Sequence, residues 1–151
     1  MSDQPQLLAT RFGEIEFEES DVLTFPEGLI GLPDLKRFVV LNVKEDSPFR
    51  WLQSVEEGAF ALVVTNPSEF VSGYEPEVAP SAVELVELQE DTPRLVYTVV
   101  TIPSGDPKRM TLNLAGPILV NLEKSIARQL VLDSDQFPIK FRVYPEESQA
   151  A

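Results

Sequence analysis

Thirteen prolines in a chain of 151 residues set the first limit on what this protein can fold into. Proline lacks a backbone N–H and its ring clashes with the preceding helical turn, so long helices have little room. Between the prolines lie short apolar, β-branched runs at 38–43, 60–65, 95–102, 118–122 and 130–132. Most are about five to eight residues long, which suits strands and is short for a buried helix. Residues 51–55 and 110–114 alternate more cleanly, and the Trp51 ring is expected to be at least half buried. Ile15-Glu16-Phe17-Glu18 alternates strictly, with Phe12 upstream, as a half-buried strand should.

Turn formers separate these runs: Pro26-Glu27-Gly28, Asp46-Ser47-Pro48, Glu57-Gly58, Asn66-Pro67, Ser72-Gly73, Ser104-Gly105-Asp106-Pro107 and Gly116-Pro117. Short strands with regular turn signals predict an all-β, mainly antiparallel single domain, a sandwich or a barrel. One or two short helical segments are expected within it. Residues 33–38 could form one turn with Pro33 in first position, and 80–88 a longer helix. There Ser81 could cap and Glu84 falls three residues later, as in a capping box. The segment 125–129 is read as a strand. The first nine residues and the tail after Pro145 are polar or small, so the ordered core is placed at about 8–145.

The chain has no cysteine and no histidine, which removes thiol chemistry, disulfides, imidazole bases and nearly every zinc or copper site. No cofactor is expected, and a phosphate loop, GxGxxG and GxSxG are all missing. Ser104 has no His or Lys neighbour to activate it and reads as a turn residue. Carboxylates are plentiful, but Glu14, Glu16 and Glu18 would share one strand face opposite Ile15 and Phe17, which suits a solvated surface. Calcium ligation by Glu45-Asp46 or Glu90-Asp91 lacks EF-hand spacing.

The net charge of -13 disfavours binding to a phosphate backbone, so no direct nucleic-acid partner is expected. No polybasic tract points to a membrane surface, and no apolar run reaches the ~18–20 residues that span a bilayer. The opening MSDQPQLLAT lacks a basic n-region and an apolar h-region. These features set the expectation of a cytoplasmic protein without a small-molecule substrate.

Four segments carry a family resemblance: TRFGEIEF at 10–17, TFPEGLIGLP at 24–33, EDSPFRWLQSV at 45–55 followed by FALVVTNP at 60–67, and TVVTIP with MTLNLAGPILVN within 98–121. In this order and spacing the chain resembles the flagellar assembly factor FliW family over about residues 8 to 135. It departs from the family pattern at Asn66-Pro67, at Ser72-Gly73-Tyr74 and in the closing segment 139–145.

The resemblance implies a compact, antiparallel β-barrel-like domain without catalytic activity. It also implies two cytoplasmic partners, flagellin and CsrA, a dimeric RNA-binding translational repressor that FliW proteins antagonise non-competitively. The expected protein contacts are exposed apolar groups beside acidic ones: Phe25, Leu29, Ile30 and Leu32, then Phe49 and Arg50, then Ile102 and Pro103, with Glu14, Glu16 and Glu18 supplying charge. Two other readings stay open, a flagellin chaperone that ignores CsrA and a ligand-binding or hydrolytic barrel using carboxylates.

Overall fold

The computed structural model describes residues 6–10, 13–42 and 46–144. Eleven strands follow in order: β1 (Gln6–Thr10), β2 (Gly13–Phe17), β3 (Leu23–Thr24), β4 (Arg37–Asn42), β5 (Phe49–Ser54), β6 (Ala61–Thr65), β7 (Arg94–Thr101), β8 (Thr111–Leu112), β9 (Ile118–Asn121), β10 (Ile126–Gln129) and β11 (Phe141–Arg142). Among the described residues one α-helix, α1 (Pro80–Leu85), lies between β6 and β7. Strands β3 to β7 pair in sequence order, β3 continues to β10 and β9, and β9 returns to β7. Seven strands thus close a barrel. Closure leaves no long free edge in that sheet, which is how an all-β protein avoids edge-to-edge association.

β7 makes the closure possible because its eight residues serve three neighbours. Its first half pairs β9, from Arg94 with Asn121 to Tyr97 with Ile118. Its second half pairs β6 on one side and β8 on the other. Tyr97 faces Ile118 and Val100 faces Leu112, so three steps along β7 match six along the opposing chain. The three extra residues form a bulge around 113–117, where Gly116-Pro117 sits and every residue but Asn113 is buried.

Alternation along the strands sorts the side chains into an interior and outer layers. Leu23, Phe25, Phe38, Leu52, Val64, Ile118, Val120 and Ala127 fill the barrel. Phe38 lies edge-on to Phe25 at 5.2 Å between ring centroids and to Phe60 at 6.4 Å. Outside, the β1–β2 hairpin places Leu8, Ile15 and Phe17 over Val39 and Leu41 of β4. α1 lays Ala82, Val83 and Val86 against Val96, Leu119 and Ile126. Trp51 is partly buried, as its alternating position predicts.

Two buried polar side chains tie down backbone outside the strand ladders. Asn121 is fully buried; its amide donates to the Val86 and Glu87 carbonyls, and its oxygen accepts from the Glu123 and Lys124 amides. One side chain therefore holds the end of α1 and the β9–β10 turn together. Thr65 donates to the Pro48 carbonyl at 2.7 Å.

Several elements differ from the sequence expectation. Residues 33–38 form no helix: a turn closes through the Leu35 amide on the Leu32 carbonyl, and Phe38 is already in β4. Two β-branched residues after Phe38 and a core position for its ring favour the strand. α1 ends at Leu85, and its cap position falls on Ala79 instead of Ser81. Pro80 occupies the first helical position and forces the residue before it to be extended, so the capping box at Ser81 never forms. Only Thr111–Leu112 of the run 110–114 is strand, and 130–132 follows β10 without joining a strand. Strand β1 begins at Gln6, inside the stretch expected to be mobile, because β2 pairs all five of its residues. Phe12, Glu45 and the tail from Pro145 lie outside the described residues.

A third apolar layer joins Tyr74, Phe137 and Phe141 to Met110 and Leu112. Tyr74 stands edge-on to Phe137 at 5.6 Å and donates its hydroxyl to the Leu114 carbonyl at 2.6 Å. Burial pushes its phenol up to about 12 from the ordinary 10.0. A pKa raised by folding stabilises the fold fully below the unfolded value, and that stabilisation disappears as pH rises from 10.0 towards about 12. Alkaline unfolding followed by circular dichroism is expected to begin in that window. A Tyr74→Phe variant should lose this part of the pH dependence; an unchanged profile would contradict the assignment.

Candidate functional site

The loop between β3 and β4 carries four of the expected contact residues, and its backbone divides them. Phe25 is fully buried and Leu29 nearly so, both within the barrel core. Leu29 and Leu32 exchange two backbone hydrogen bonds, at 3.2 and 2.8 Å, which close a tight reversal over Ile30 and Gly31. Gly31 has φ +83°, a conformation that a side chain would resist. Ile30 is therefore held at the tip, 55% exposed, beside Leu32 at 37%.

The tip is fixed by β10, the strand that pairs with β3. The Ile30 amide donates to the Gln129 side-chain oxygen at 3.0 Å, and the Gln129 amide donates to the Gly116 carbonyl at 3.0 Å. Gln129 thus clamps the 25–33 loop to the 113–117 bulge, joining Ile30 to Gly116 across 86 residues of sequence in two segments that both carry the family resemblance. Val131, 79% exposed, lies two residues beyond Gln129. The amides of Leu130 and Leu132 donate to the Pro117 and Ala115 carbonyls and hold that strip against the bulge. An ion pair between Arg128 and Glu27 flanks the junction. Ile30 and Leu32 thus expose apolar side chains on ordered backbone.

The other expected contacts lie elsewhere. Glu14 and Glu16 are exposed on β2 with Ile15 and Phe17 turned inward, and Glu18 is exposed just past the strand. The Glu18 amide donates to the Asp21 carboxylate at 2.8 Å, closing a short turn. In that turn the Arg37 guanidinium holds the Glu19 carboxyl below its usual range. Phe49 stacks on Phe70 at 5.6 Å, whereas Arg50, one residue on, faces the barrel mouth. Ile102 is exposed and Pro103 partly so, at the C-terminal end of β7. The structure thus joins Ile30 with Leu32, keeps the glutamates together, and moves Phe25 and Leu29 into the core. Among the described residues, no three His, Cys, Asp or Glu side chains gather as metal ligands.

Comparison with known proteins decides the family. The FliW protein family model matches residues 6–143. The chain belongs to the FliW family. The flagellar assembly factor FliW of Natranaerobius thermophilus is 33% identical over 146 residues, covering 97% of each chain. That of Bdellovibrio bacteriovorus is 39% identical over 140 residues, covering 93% of this chain and 79% of its own. A crystal structure of the flagellar assembly factor FliW superposes with a TM-score of 0.86 at 30% identity, covering 94% of this chain and 99% of that one. The FliW fold is therefore the barrel described above. Among the described residues, no helix is long and apolar enough to cross a membrane.

Sequence reasoning missed Gln129 and Val131. Val131 had a signal, an exposed alternate position in Leu130-Val131-Leu132. Gln129 had none, because its role depends on the two loops that meet it in space.

Proposed function

We propose that this chain is a non-enzymatic flagellar assembly factor of the cytoplasm, which binds the translational repressor CsrA and flagellin in exchange. Flagellin leaving the cell frees the protein to bind CsrA, and translation of flagellin is relieved. Such a switch needs two competing affinities and no bond-making chemistry. Family membership across 6–143 is the observation that carries this reading. The exposed rim of Ile30 and Leu32 suits a protein contact, since apolar side chains on fixed backbone bind with little ordering cost.

The acidic surface has a use in this reading. Docked beside an RNA site, Glu14, Glu16 and Glu18 raise the free energy of an approaching phosphate backbone without occupying its place. The Debye length is about 8 Å at physiological ionic strength, so only carboxylates near the docked edge act.

Size-exclusion chromatography of the protein with CsrA, followed by added flagellin, tests the exchange. A complex that flagellin displaces is expected; no complex with CsrA rejects the reading, and a complex with flagellin alone leaves a chaperone. In the same system, loss of CsrA's RNA affinity should shrink as salt rises. It should also shrink when Glu14, Glu16 and Glu18 are together changed to Gln. Insensitivity to both rules out the electrostatic part.

A further inference from the structure

At the mouth of the barrel, Arg50 and Tyr97 open into a cleft of about 450 Å³. A second cleft of about 260 Å³ shares Asn66 and Leu95 with it and continues towards Tyr74 and Arg94. Together they form one groove across the ends of β5, β6 and β7.

Arg50, Asn66 and Tyr97 bring hydrogen-bond donors to the first cleft. Arg50 is partly buried and enters no ion pair among the described residues. Its Nη1 donates to the Ser47 and Phe49 carbonyls at 2.7 and 3.1 Å, which fixes the guanidinium plane and leaves Nη2 and Nε unused there. The Asn66 side-chain oxygen accepts from the Ser68 amide and hydroxyl, so its NH2 group is turned away from them. The Tyr97 hydroxyl makes no hydrogen bond to the described residues. Burial raises its pKa while the Arg50 charge opposes the rise, so the phenol stays protonated near neutrality and beside the guanidinium. Asp46 and Glu69, by contrast, are exposed and stand at the rim.

A planar guanidinium beside a phenol and an amide donor suits a single carboxylate, bound through two parallel N–H bonds and one O–H bond. The rim carboxylates select against a polyanion such as a phosphodiester strand. They favour a chain whose flanking groups are neutral or basic. A lone small acid would fill only the first cleft, whereas an extended peptide, advancing about 3.3 Å per residue, would run through both.

We propose that the groove binds an extended polypeptide through one carboxylate seated on Arg50 and the Tyr97 hydroxyl, with the chain passing over Asn66 and Leu95. The carboxylate is that of an Asp or Glu side chain, with the polypeptide continuing past it along the groove. The site is additional to the exchange described above, and its failure leaves complex formation with CsrA unaffected.

The test is nuclear magnetic resonance titration of the full-length chain, observing the Arg50 Nε–H and the Tyr97 ring. The probes are an acetylated, amidated alanine pentapeptide with a central aspartate, its asparagine counterpart, an acetylated alanine pentapeptide with a free C-terminus, and inorganic phosphate. Saturable shifts at Arg50 and Tyr97 are expected with the aspartyl peptide, and weaker binding with the free-carboxyl peptide. The asparaginyl peptide should bind at least about tenfold more weakly, the loss expected for removing a charged partner from a guanidinium. Equal shifts with the asparaginyl peptide, equal binding of phosphate or of the free-carboxyl peptide, or no saturable shift with the aspartyl peptide would overturn the proposal. Arg50→Gln should abolish the Tyr97 shift, but it also removes the bonds to the Ser47 and Phe49 carbonyls. Tyr97→Phe keeps the ring and deletes only the hydroxyl. It should weaken binding several-fold with an unchanged melting temperature, and wild-type affinity in that variant would likewise overturn the assignment.

Discussion

Replacing Phe38 with Ala is expected to lower the unfolding free energy by about 3–5 kcal/mol, the range for emptying a buried aromatic site. Phe38 is fully buried, and its ring meets Phe25 and Phe60 edge-on at the centre of the barrel. Removing it strips both rings of a partner and leaves a void that closed strands cannot collapse around. Phe38 also pairs with Leu23 of β3 on one side and Ser54 of β5 on the other, so the cavity lies beneath a short strand pairing. In a chain of this size each kcal/mol moves the melting temperature by about 2–4 °C, so a drop of roughly 10 °C should be seen. Urea unfolding followed through the single tryptophan, Trp51, measures it directly. An unfolding free energy within about 1 kcal/mol of wild type would show that the interior repacks freely, contrary to close packing.

Gly28→Ala is the second large effect, and its cause is backbone geometry. Gly28 has φ +70°, and a Cβ there would stand 2.6 Å from the Leu32 carbonyl oxygen and 2.6 Å from Pro33 backbone atoms. The left-handed conformation costs an alanine about 1–2 kcal/mol by itself. Relieving the overlap requires the 28–33 loop to open, with loss of the paired Leu29–Leu32 bonds. A total of about 3 kcal/mol is expected, among the large values for a one-methyl change. The variant should also release Ile30 from Gln129, and amide hydrogen exchange at Ile30 should rise well beyond the global change. If exchange at Ile30 tracks global stability alone, the loop is not held in the way its hydrogen bonds indicate.

The strands were legible because the β-branched runs and turn residues agree with one another over most of the chain. β4, β5, β6 and β7 lie where alternation and proline spacing put them. The helix at 80–85 was legible in position but not in its cap, since Pro80 overrode Ser81. β1 escaped notice because Gln6 to Thr10 has little pattern of its own and is ordered by pairing with β2.

The candidate site was half legible. A motif rich in Phe, Pro, Gly, Leu and Ile marks a loop that matters, yet composition does not say which side chains turn outward. Phe25 and Ile30 are both large and apolar, and only the Leu29–Leu32 reversal sends one into the core and the other to the surface. Arg50 gave no sign of facing the barrel mouth, because that depends on where β7 brings Tyr97.

By itself the sequence determined that the chain would be built of short strands, without cysteine or histidine chemistry, and under strong negative charge. Those properties follow from residue type and local spacing, which act over a few positions along the chain. Only the tertiary structure decided that the strands close on themselves through β7 and β9. The same closure decided that Gln129 ties two distant loops together and that Arg50, Asn66 and Tyr97 face one groove. Such juxtapositions arise from pairing between segments far apart in sequence, and neither local spacing nor composition encodes which of them will meet.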